Sequence, residues 1–251
     1  MSARTTQLLG LIFGIGFLAA NPLSGQWTLD LETGAAFARS NDLRVPNATG
    51  TLFSLTDDLD TNPALYFRVR LGLTLGTRHH ILLLAAPLTL KSSGQPDNDI
   101  HFAGQDYPAG TYLEASYTFN SWRATYRYDL VRSEKWTMQL GLTAKIRDAA
   151  ITLSGDGTFS ETTDFGFVPL LNFLVRWDFA DRWGLLLEGD AAAAPGGQGR
   201  AEDILLAAFF RPSQRLTLRA GYRLLEGGAD VDQVYSFAWL DYLSLGATIT
   251  F

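Results

Sequence analysis

Apolar and polar residues alternate along much of this chain with a period of two. The clearest case is the last nine residues, in which Leu243, Leu245, Ala247, Ile249 and Phe251 alternate with serine, glycine and threonine. Successive side chains of a β-strand point to opposite faces. The pattern therefore predicts a strand with one apolar face and one small or polar face.

The same alternation predicts ten strands, joined in turn by short and long connections. An even strand number with this alternation favours an antiparallel up-and-down barrel. Eight strands is the alternative, because the first and eighth segments have the weakest patterns. The ten segments are 26–38, 63–75, 80–91, 111–131, 135–153, 165–179, 183–193, 202–211, 214–225 and 232–251. The predicted long loops are 39–62, 92–110, 154–164, 194–201 and 226–231.

In eight of the ten predicted strands, a row of alternating outward positions carries no charge, and the charges lie on the opposite face. In segment 63–75, for example, Phe67, Val69 and Leu71 alternate with Arg68 and Arg70. A soluble barrel or sandwich, the alternative, would place apolar residues inside and charges outside. A barrel surrounded by hydrocarbon needs the reverse, since a lipid-facing Arg or Lys at mid-depth costs about 2–4 kcal/mol. We therefore predict an apolar exterior and a charged lumen.

The inward charges are the candidate functional residues. Neighbouring segments carry opposite signs, so ladder-like ion pairs are predicted, and arginine suits forked contacts with carboxylates. A ten-stranded barrel is only slightly wider than the eight-stranded kind that side chains fill, so the ion pairs are predicted to plug the lumen. The predicted network consists of Asp30, Glu32, Arg68, Arg70, Arg123, Arg127, Asp129, Lys145, Arg176, Glu188, Asp190, Arg219 and Arg223.

A terminal strand that ends on Phe251, preceded by strands of the same period, resembles the small bacterial outer-membrane β-barrel proteins. The resemblance implies an outer-membrane location, short periplasmic turns and longer outer loops. It implies that the barrel-assembly machinery reads Phe251 as its signal. It also implies that outer-membrane lipids and lipopolysaccharide surround the barrel wall.

The first residues are predicted to be a cleaved signal peptide covering 1–25, which leaves 26–251 as the barrel. Arg4 is followed by an apolar run over 8–20 and then by small and polar residues, which is the order found in secretory signals. The run is shorter than the roughly 20 residues of a membrane-spanning helix. Cleavage is predicted before Gln26.

Composition narrows the function further. The net charge of −6 and pI of about 5.0 argue against nucleic-acid binding, which needs a basic face. The chain has no cysteine, which excludes disulfides and thiol chemistry. The sequence predicts no cofactor, and it leaves the oligomeric state open.

Aromatic residues cluster where the predicted strands end, as interfacial girdles would. One set lies near the short turns: Trp27, Tyr128, Trp136, Trp177, Trp183 and Phe251. The other set lies near the long loops: Tyr66, Tyr222, Tyr235, Phe237 and Trp239. Segment 111–131 exceeds the length that a membrane needs, and its apolar face changes at Asn120–Ser121, where we predict a β-bulge.

Two loop clusters contain groups that could carry chemistry. A hydrolytic set of nucleophile, base and orienting acid could be drawn around His101, although a solvated loop explains the same residues. Its members would be Ser92 or Ser93, His101, and Asp97, Asp99 or Asp106. Alternating oxygen ligands at Asp58, Asp60 and Asn62 could begin a calcium loop. That motif lacks its glycine and distal glutamate, so no metal site is predicted.

These observations predict an integral outer-membrane barrel without enzymatic activity. Its narrow lumen is plugged by ion pairs, and it displays loops or passes only very small solutes. Two alternatives remain open. One is an outer-membrane enzyme acting on lipid or peptide, and the other is a transporter of small apolar molecules that uses a recess beneath the long strands.

Overall fold

The computed structural model describes residues 25–193 and 199–251, and within them the chain forms only strands, turns and loops. The predicted signal peptide lies outside the described residues except for Gly25, which begins the first strand. No helix of the described residues is long and apolar enough to cross a membrane. The strands are β1 Gly25–Arg44, β2 Phe53–Ser54, β3 Asp60–Asn62, β4 Ala64–Leu75, β5 His79–Ala86, β6 Thr89–Gly94, β7 Ile100–Phe102, β8 Gln105–Tyr107, β9 Leu113–Arg132, β10 Trp136–Gly155, β11 Thr158–Asp178, β12 Trp183–Ala193, β13 Gly199–Ser213, β14 Leu216–Val231 and β15 Val234–Thr250.

Ten of these strands form a closed antiparallel barrel, which confirms the predicted architecture and excludes the eight-stranded alternative. Around the wall the order is β1, β4, β5, β9, β10, β11, β12, β13, β14 and β15. The barrel closes where β15 pairs with β1, in a register that runs from Thr28 opposite Thr250 to Arg44 opposite Tyr235. Closure leaves no free edge at this junction of the first and last strands.

The wall is apolar outside and polar inside, as the alternation predicts. On β4, Leu65 and Phe67 are 78% and 62% exposed, whereas Arg68 between Phe67 and Val69 is 5% exposed. Arg219 on β14 is likewise 7% exposed. This inversion suits a barrel whose surroundings are hydrocarbon, because apolar side chains then need no shielding and charges do.

The two ends of the barrel differ. Short turns at 76–78, 133–135, 179–182 and 214–215 lie at one end, here called the turn end, together with the first residue of β1. At the opposite loop end, two predicted long loops are wrong. Residues 158–164 and 226–231 continue β11 and β14 as strand. The β10–β11 hairpin closes through Asp156 and Gly157 at φ +47° and +77°, a tight turn that asparagine, aspartate and glycine favour.

The third predicted strand is divided in two. β5 pairs with the turn-end half of β9, and β6 pairs with the loop-end half, from Thr89 opposite Thr118. Pro87 lies in the break between them. Proline has no backbone N–H to donate to a ladder, so the strand is interrupted there.

The predicted β-bulge at Asn120–Ser121 is wrong. The register between β9 and β10 is continuous from Asp129 opposite Gln139 to Glu114 opposite Ser154, and odd-numbered residues of β9 point inward along this length. What changes is the chemistry of the interior: Arg123 is buried in the polar part and Tyr117 in an apolar part.

The interior therefore becomes an ordinary apolar core toward the loop end. Residues 45–63 and 87–112, here called the cap, carry β2, β3 and β6–β8 and pack over the inner faces of β1 and β9. Tyr66, predicted at the outer girdle, is instead 2% exposed inside the barrel, edge-to-face with Tyr242 at 4.8 Å. The buried core consists of Ala36, Leu43, Val45, Phe53, Leu55, Leu59, Tyr66, Leu88, Leu90, Ile100, Phe102, Tyr107, Leu113, Ala115, Tyr117, Ile151, Leu153, Leu225, Ala238, Leu240 and Tyr242.

Candidate functional site

Eleven charged side chains from six strands meet inside the barrel, between the turn end and the cap. Each lies within 4.0 Å of an opposite charge in the set, and these contacts connect all eleven into one group, here called the lumen network. Burial without a partner would be very costly for such groups, so the pairing is what permits their position. The members are Asp30, Glu32, Arg68, Arg70, Arg123, Arg127, Glu188, Asp190, Asp203, Arg219 and Arg223.

Two arginines of β14 form hydrogen bonds with Glu32 of β1. Arg223 donates through Nε and Nη2 to the two carboxylate oxygens of Glu32, at 2.8 and 2.9 Å. Arg219 donates through Nη2 to Glu32 at 2.9 Å and to Asp30 at 2.8 Å. Paired parallel N–H bonds of this kind give both strength and a fixed geometry. The Tyr66 hydroxyl also donates to Glu32, at 3.2 Å.

Asp203 of β13 joins three arginines. Arg68 Nη2 donates to it at 3.1 Å, Arg223 Nη1 also donates to it, and Arg123 Nη2 forms an ion pair with it at 2.6 Å without hydrogen-bond geometry. In the β12–β13 register Asp203 stands directly opposite Asp190, an arrangement of like charges that is destabilising by itself. Arg123 bridges the two carboxylates, because its Nη1 donates to Asp190 at 2.7 Å.

Several pairs cross the lumen from one wall to the other. Arg70 of β4 donates to Glu188 of β12 at 3.0 Å, and Arg127 of β9 donates to the same carboxylate at 3.2 Å. β4 and β12 are five places apart in a ring of ten, which puts them on opposite walls. The predicted ladders between neighbouring strands are therefore wrong for most pairs. Long side chains in a narrow barrel point toward its axis and meet there.

Three predicted members lie outside the lumen network. Asp129 lies nearer the turn end, 2.9 Å from His80 Nε2, and accepts from Gln139 at 2.6 Å. Arg176 donates to Asp178 of its own strand at 3.0 Å, instead of pairing with the acids of β12. Lys145 is the third.

Lys145 of β10 is 4% exposed and has no carboxylate within 4.0 Å among the described residues. Its ammonium instead lies over the ring of Phe119, 4.7 Å from the centroid. Such a cation–π contact is attractive, yet it leaves the ammonium hydrogens without an acceptor.

Sequence reasoning missed Asp203. Segment 202–211 continues with Leu205 and Leu206, one buried and one 55% exposed, so its two faces cannot be told apart by alternation. The neutral partners of Asp190 were missed for a different reason. Thr143 and Asn172 donate to Asp190 at 2.6 and 2.7 Å, and uncharged polar residues carry no such signal in the sequence. For Asp203, the sequence offered one clue, which is that segment 202–211 begins with two acidic residues followed by an apolar run.

A cavity of about 710 Å³ lies on the loop-end side of the lumen network. Its floor contains Arg123, Lys145, Asp190 and Asp203. Apolar side chains from β9, β10, β11 and β14 form much of its wall: Phe119, Ile151, Val168, Leu170 and Leu225.

The rim of this cavity is polar. Arg147 bonds to Asp164 between β10 and β11, and Arg200 Nε donates to Glu226 at 2.9 Å between β13 and β14. Because Glu226 accepts this hydrogen bond, it raises the pKa of Arg200. Each arginine that lines the cavity thus has a carboxylate partner, and Lys145 differs from them.

The barrel wall beside the cavity is incompletely paired. The β11–β12 ladder runs only from Leu171 opposite Ala191 to Asp178 opposite Gly184, whereas β11 pairs with β10 up to Thr158. Within the described ranges, residues 158–170 therefore have a ladder on one side alone; this stretch is here called the seam. It contains Pro169, which suits a strand edge because it has no N–H to leave unpaired.

The histidine set of the cap is only partly assembled. His101 Nδ1 lies 2.6 Å from Asp106, but the Ser92 hydroxyl is 2.7 Å from that of Thr61, and no hydrogen bond among the described residues joins a serine to His101. Asp97 makes no such contact with His101 either, and Asp99 accepts from the backbone of Ala109. The geometry does not form a nucleophile–base pair here.

The three candidate calcium ligands make different contacts and do not act as one set. Asp58 accepts a hydrogen bond from the Ser54 backbone at 2.7 Å, while Asp60 and Asn62 pair with β6 as part of β3. Over the part of the chain that the structure describes, no three His, Cys, Asp or Glu side chains are placed to hold a metal ion.

Phe251 lies at the turn end with its side chain 71% exposed, and its backbone N–H donates to the Trp27 carbonyl at 2.9 Å. Its position beside the first strand completes the junction of β15 with β1. The role of Phe251 in assembly stays a prediction.

No protein-family model matches the chain, and no curated protein matches it. Solved structures do. The outer-membrane protease OmpT of Escherichia coli is 9% identical, with 90% of this chain and 97% of that chain covered and a TM-score of 0.51. Ail of Yersinia pestis is 11% identical with 90% and 99% covered and a TM-score of 0.39, and the toluene transporter TodX of Pseudomonas putida is 10% identical with 90% and 89% covered and a TM-score of 0.35. At such identities the likeness concerns the fold alone.

Proposed function

We propose that this chain, which by its fold is a member of the outer-membrane β-barrel superfamily, is a non-enzymatic protein of the bacterial outer membrane with a closed lumen. The lumen network blocks the passage of all but very small solutes, and the cap is displayed outside the membrane. The fold and the apolar outer band support the location. The arrangement of charges supports the closed lumen.

The observation that carries the closed lumen is the Arg70–Glu188 pair. It joins opposite walls at 3.0 Å, with side chains that are 17% and 4% exposed. Charges that line a water-filled channel remain hydrated, whereas Glu188, Asp203 and Arg223 are almost completely removed from solvent. A ten-stranded barrel is narrow enough for side chains from opposite walls to meet in this way.

The cap supports display as the second part of this function. It is anchored in the buried core of the loop end, where Phe53 and Phe102 pack with ring centroids 5.8 Å apart, so its outer surface has a defined shape. The absence of a nucleophile–base pair around His101 in the described chain favours a non-enzymatic role over the lipid- or peptide-directed enzyme.

Planar-bilayer conductance tests the closed lumen. Wild-type protein should conduct almost no current, and the double variant Arg68→Ala/Arg70→Ala should conduct, because it removes two long side chains and leaves Glu188 and Asp203 with fewer partners. The matched control is Arg39→Ala, which removes an arginine from an exposed pair with Asp241. A steady current from the wild type, or an unchanged double variant that is still folded by circular dichroism, would overturn the proposal.

A further inference from the structure

The cavity above the lumen network contains a cation whose natural partner is missing from the described chain. Arg123, Arg147 and Arg200 each contact a carboxylate, but the Lys145 ammonium contacts only the Phe119 ring. The N–H donors of this ammonium make no hydrogen bond within the described residues, so a molecule in the cavity could supply their acceptor. Its position on the cavity floor makes it accessible to a molecule that enters the cavity.

The cavity walls define the rest of such a molecule. Above Lys145 they are largely apolar, with Ile151, Val168 and Leu225 among the lining side chains. The volume of about 710 Å³ lies in the range of small-molecule sites, about 300–1,000 Å³. A ligand with an apolar body and one anionic end would match both the wall and the floor.

The seam lies beside this cavity. Val168 and Pro169 line the cavity there, and β11 has no ladder on its β12 side within the described ranges. On the outer face of the same strand, Phe165 and Phe167 are 75% and 67% exposed. Apolar side chains therefore continue from the outer wall to the cavity across an unpaired stretch of strand.

We propose that this cavity binds an amphiphile with a single anionic head group, of which a fatty carboxylate is the simplest. The head accepts hydrogen bonds from Lys145, and the apolar chain lies against the wall of β10, β11 and β14. A single ammonium without a carboxylate within 4.0 Å suits a ligand with one anionic group. This proposal goes beyond the closed lumen and does not depend on it, because the cavity lies on the loop-end side of the network.

Binding can be measured with 11-(dansylamino)undecanoate and the protein in phosphatidylcholine nanodiscs, with empty nanodiscs as the partition reference. Wild-type protein should show saturable fluorescence above that reference. Lys145→Met should weaken binding about tenfold, the effect of losing a hydrogen bond between charged groups, and Lys145→Arg should restore most of the affinity. Lys135→Met, at an exposed turn-end lysine, is the matched control and should bind as the wild type does.

Two further experiments, a cavity-filling variant and a competition assay, test where the ligand binds and what head group it needs. Ala149→Trp keeps Lys145 but fills the cavity that Ala149 lines, so it should abolish saturable binding while circular dichroism shows a folded barrel. Dodecanoate should displace the probe, and dodecanol, which has no charge, should displace it about tenfold less well. The proposal is overturned by equal affinity in Lys145→Met, by equal competition from dodecanol, or by a signal no greater than that of empty nanodiscs.

Discussion

Arg223 shows how much of this lumen depends on single side chains. Its guanidinium contacts three carboxylates, Glu32, Asp203 and Glu188, which come from three different strands. The planar fork of arginine makes this possible, since its five N–H groups can reach several acceptors at once. A lysine, with one compact ammonium, could not replace it.

At this scale we predict that Arg223→Met destabilises the barrel by about 3–5 kcal/mol, because it leaves buried carboxylates with fewer partners. The free energy of unfolding in urea, measured in detergent micelles, tests this. The control Arg39→Met breaks an exposed pair, whose side chains are 55% and 20% exposed, and should change stability by at most about 1 kcal/mol. If both variants lose the same small free energy of unfolding, burial of the lumen network does not strengthen its ion pairs.

Among the strands, β9 contributes to two different parts of the barrel interior, the charged lumen network and the apolar core. Its odd-numbered residues face inward along its length, with Arg123 and Arg127 in the lumen network and Leu113 and Tyr117 in the apolar core. The exterior of the same strand changes in the opposite sense, from apolar beside lipid to polar above it. A single unbroken strand therefore connects a membrane barrel to a water-exposed one.

β15 makes room for the network on its inner face. A Cβ atom at Gly246 would lie 2.6 Å from Arg219 Cζ, closer than such contacts allow. We expect Gly246→Val to displace that guanidinium from Asp30 and to lower stability by about 1–3 kcal/mol, as overpacking does. The loss of stability can be measured by thermal unfolding monitored with circular dichroism.

The control for this substitution is Ala247→Val, which introduces the same residue on the outward face of the same strand. It adds apolar surface toward lipid and should leave the melting temperature unchanged or raised. A loss of stability from Ala247→Val equal to that from Gly246→Val would show that the strand, and not the space around Arg219, is sensitive.

For the whole molecule, the ten-stranded closure places the chain ends of the described barrel side by side at the turn end. Phe251 is there, with its aromatic ring exposed and available for recognition. We predict that Phe251→Ser reduces the amount of folded protein in the outer-membrane fraction of a Gram-negative host several-fold, as follows from the predicted role of the terminal aromatic in assembly. The control is Phe159→Ser, which changes a phenylalanine that is 60% exposed at the loop end. Equal amounts of folded Phe251→Ser and wild-type protein in that fraction would contradict the assembly role.

The sequence by itself determined the barrel. Strand number, the apolar exterior and the inward position of residues such as Arg68 and Glu32 follow from a period of two, because alternation along a strand is a local property. For the same reason it could not separate the two apolar faces around Asp203, and a polar composition made the loop-end strands look like loops.

Only the tertiary structure decided which charges meet. Arg70 and Glu188 are partners because closure of a narrow barrel brings opposite walls together, and no neighbouring-strand rule contains that information. The seam beside the cavity likewise arises because β11 extends beyond its ladder with β12. These depend on contacts between residues far apart in the chain, which the local pattern does not encode.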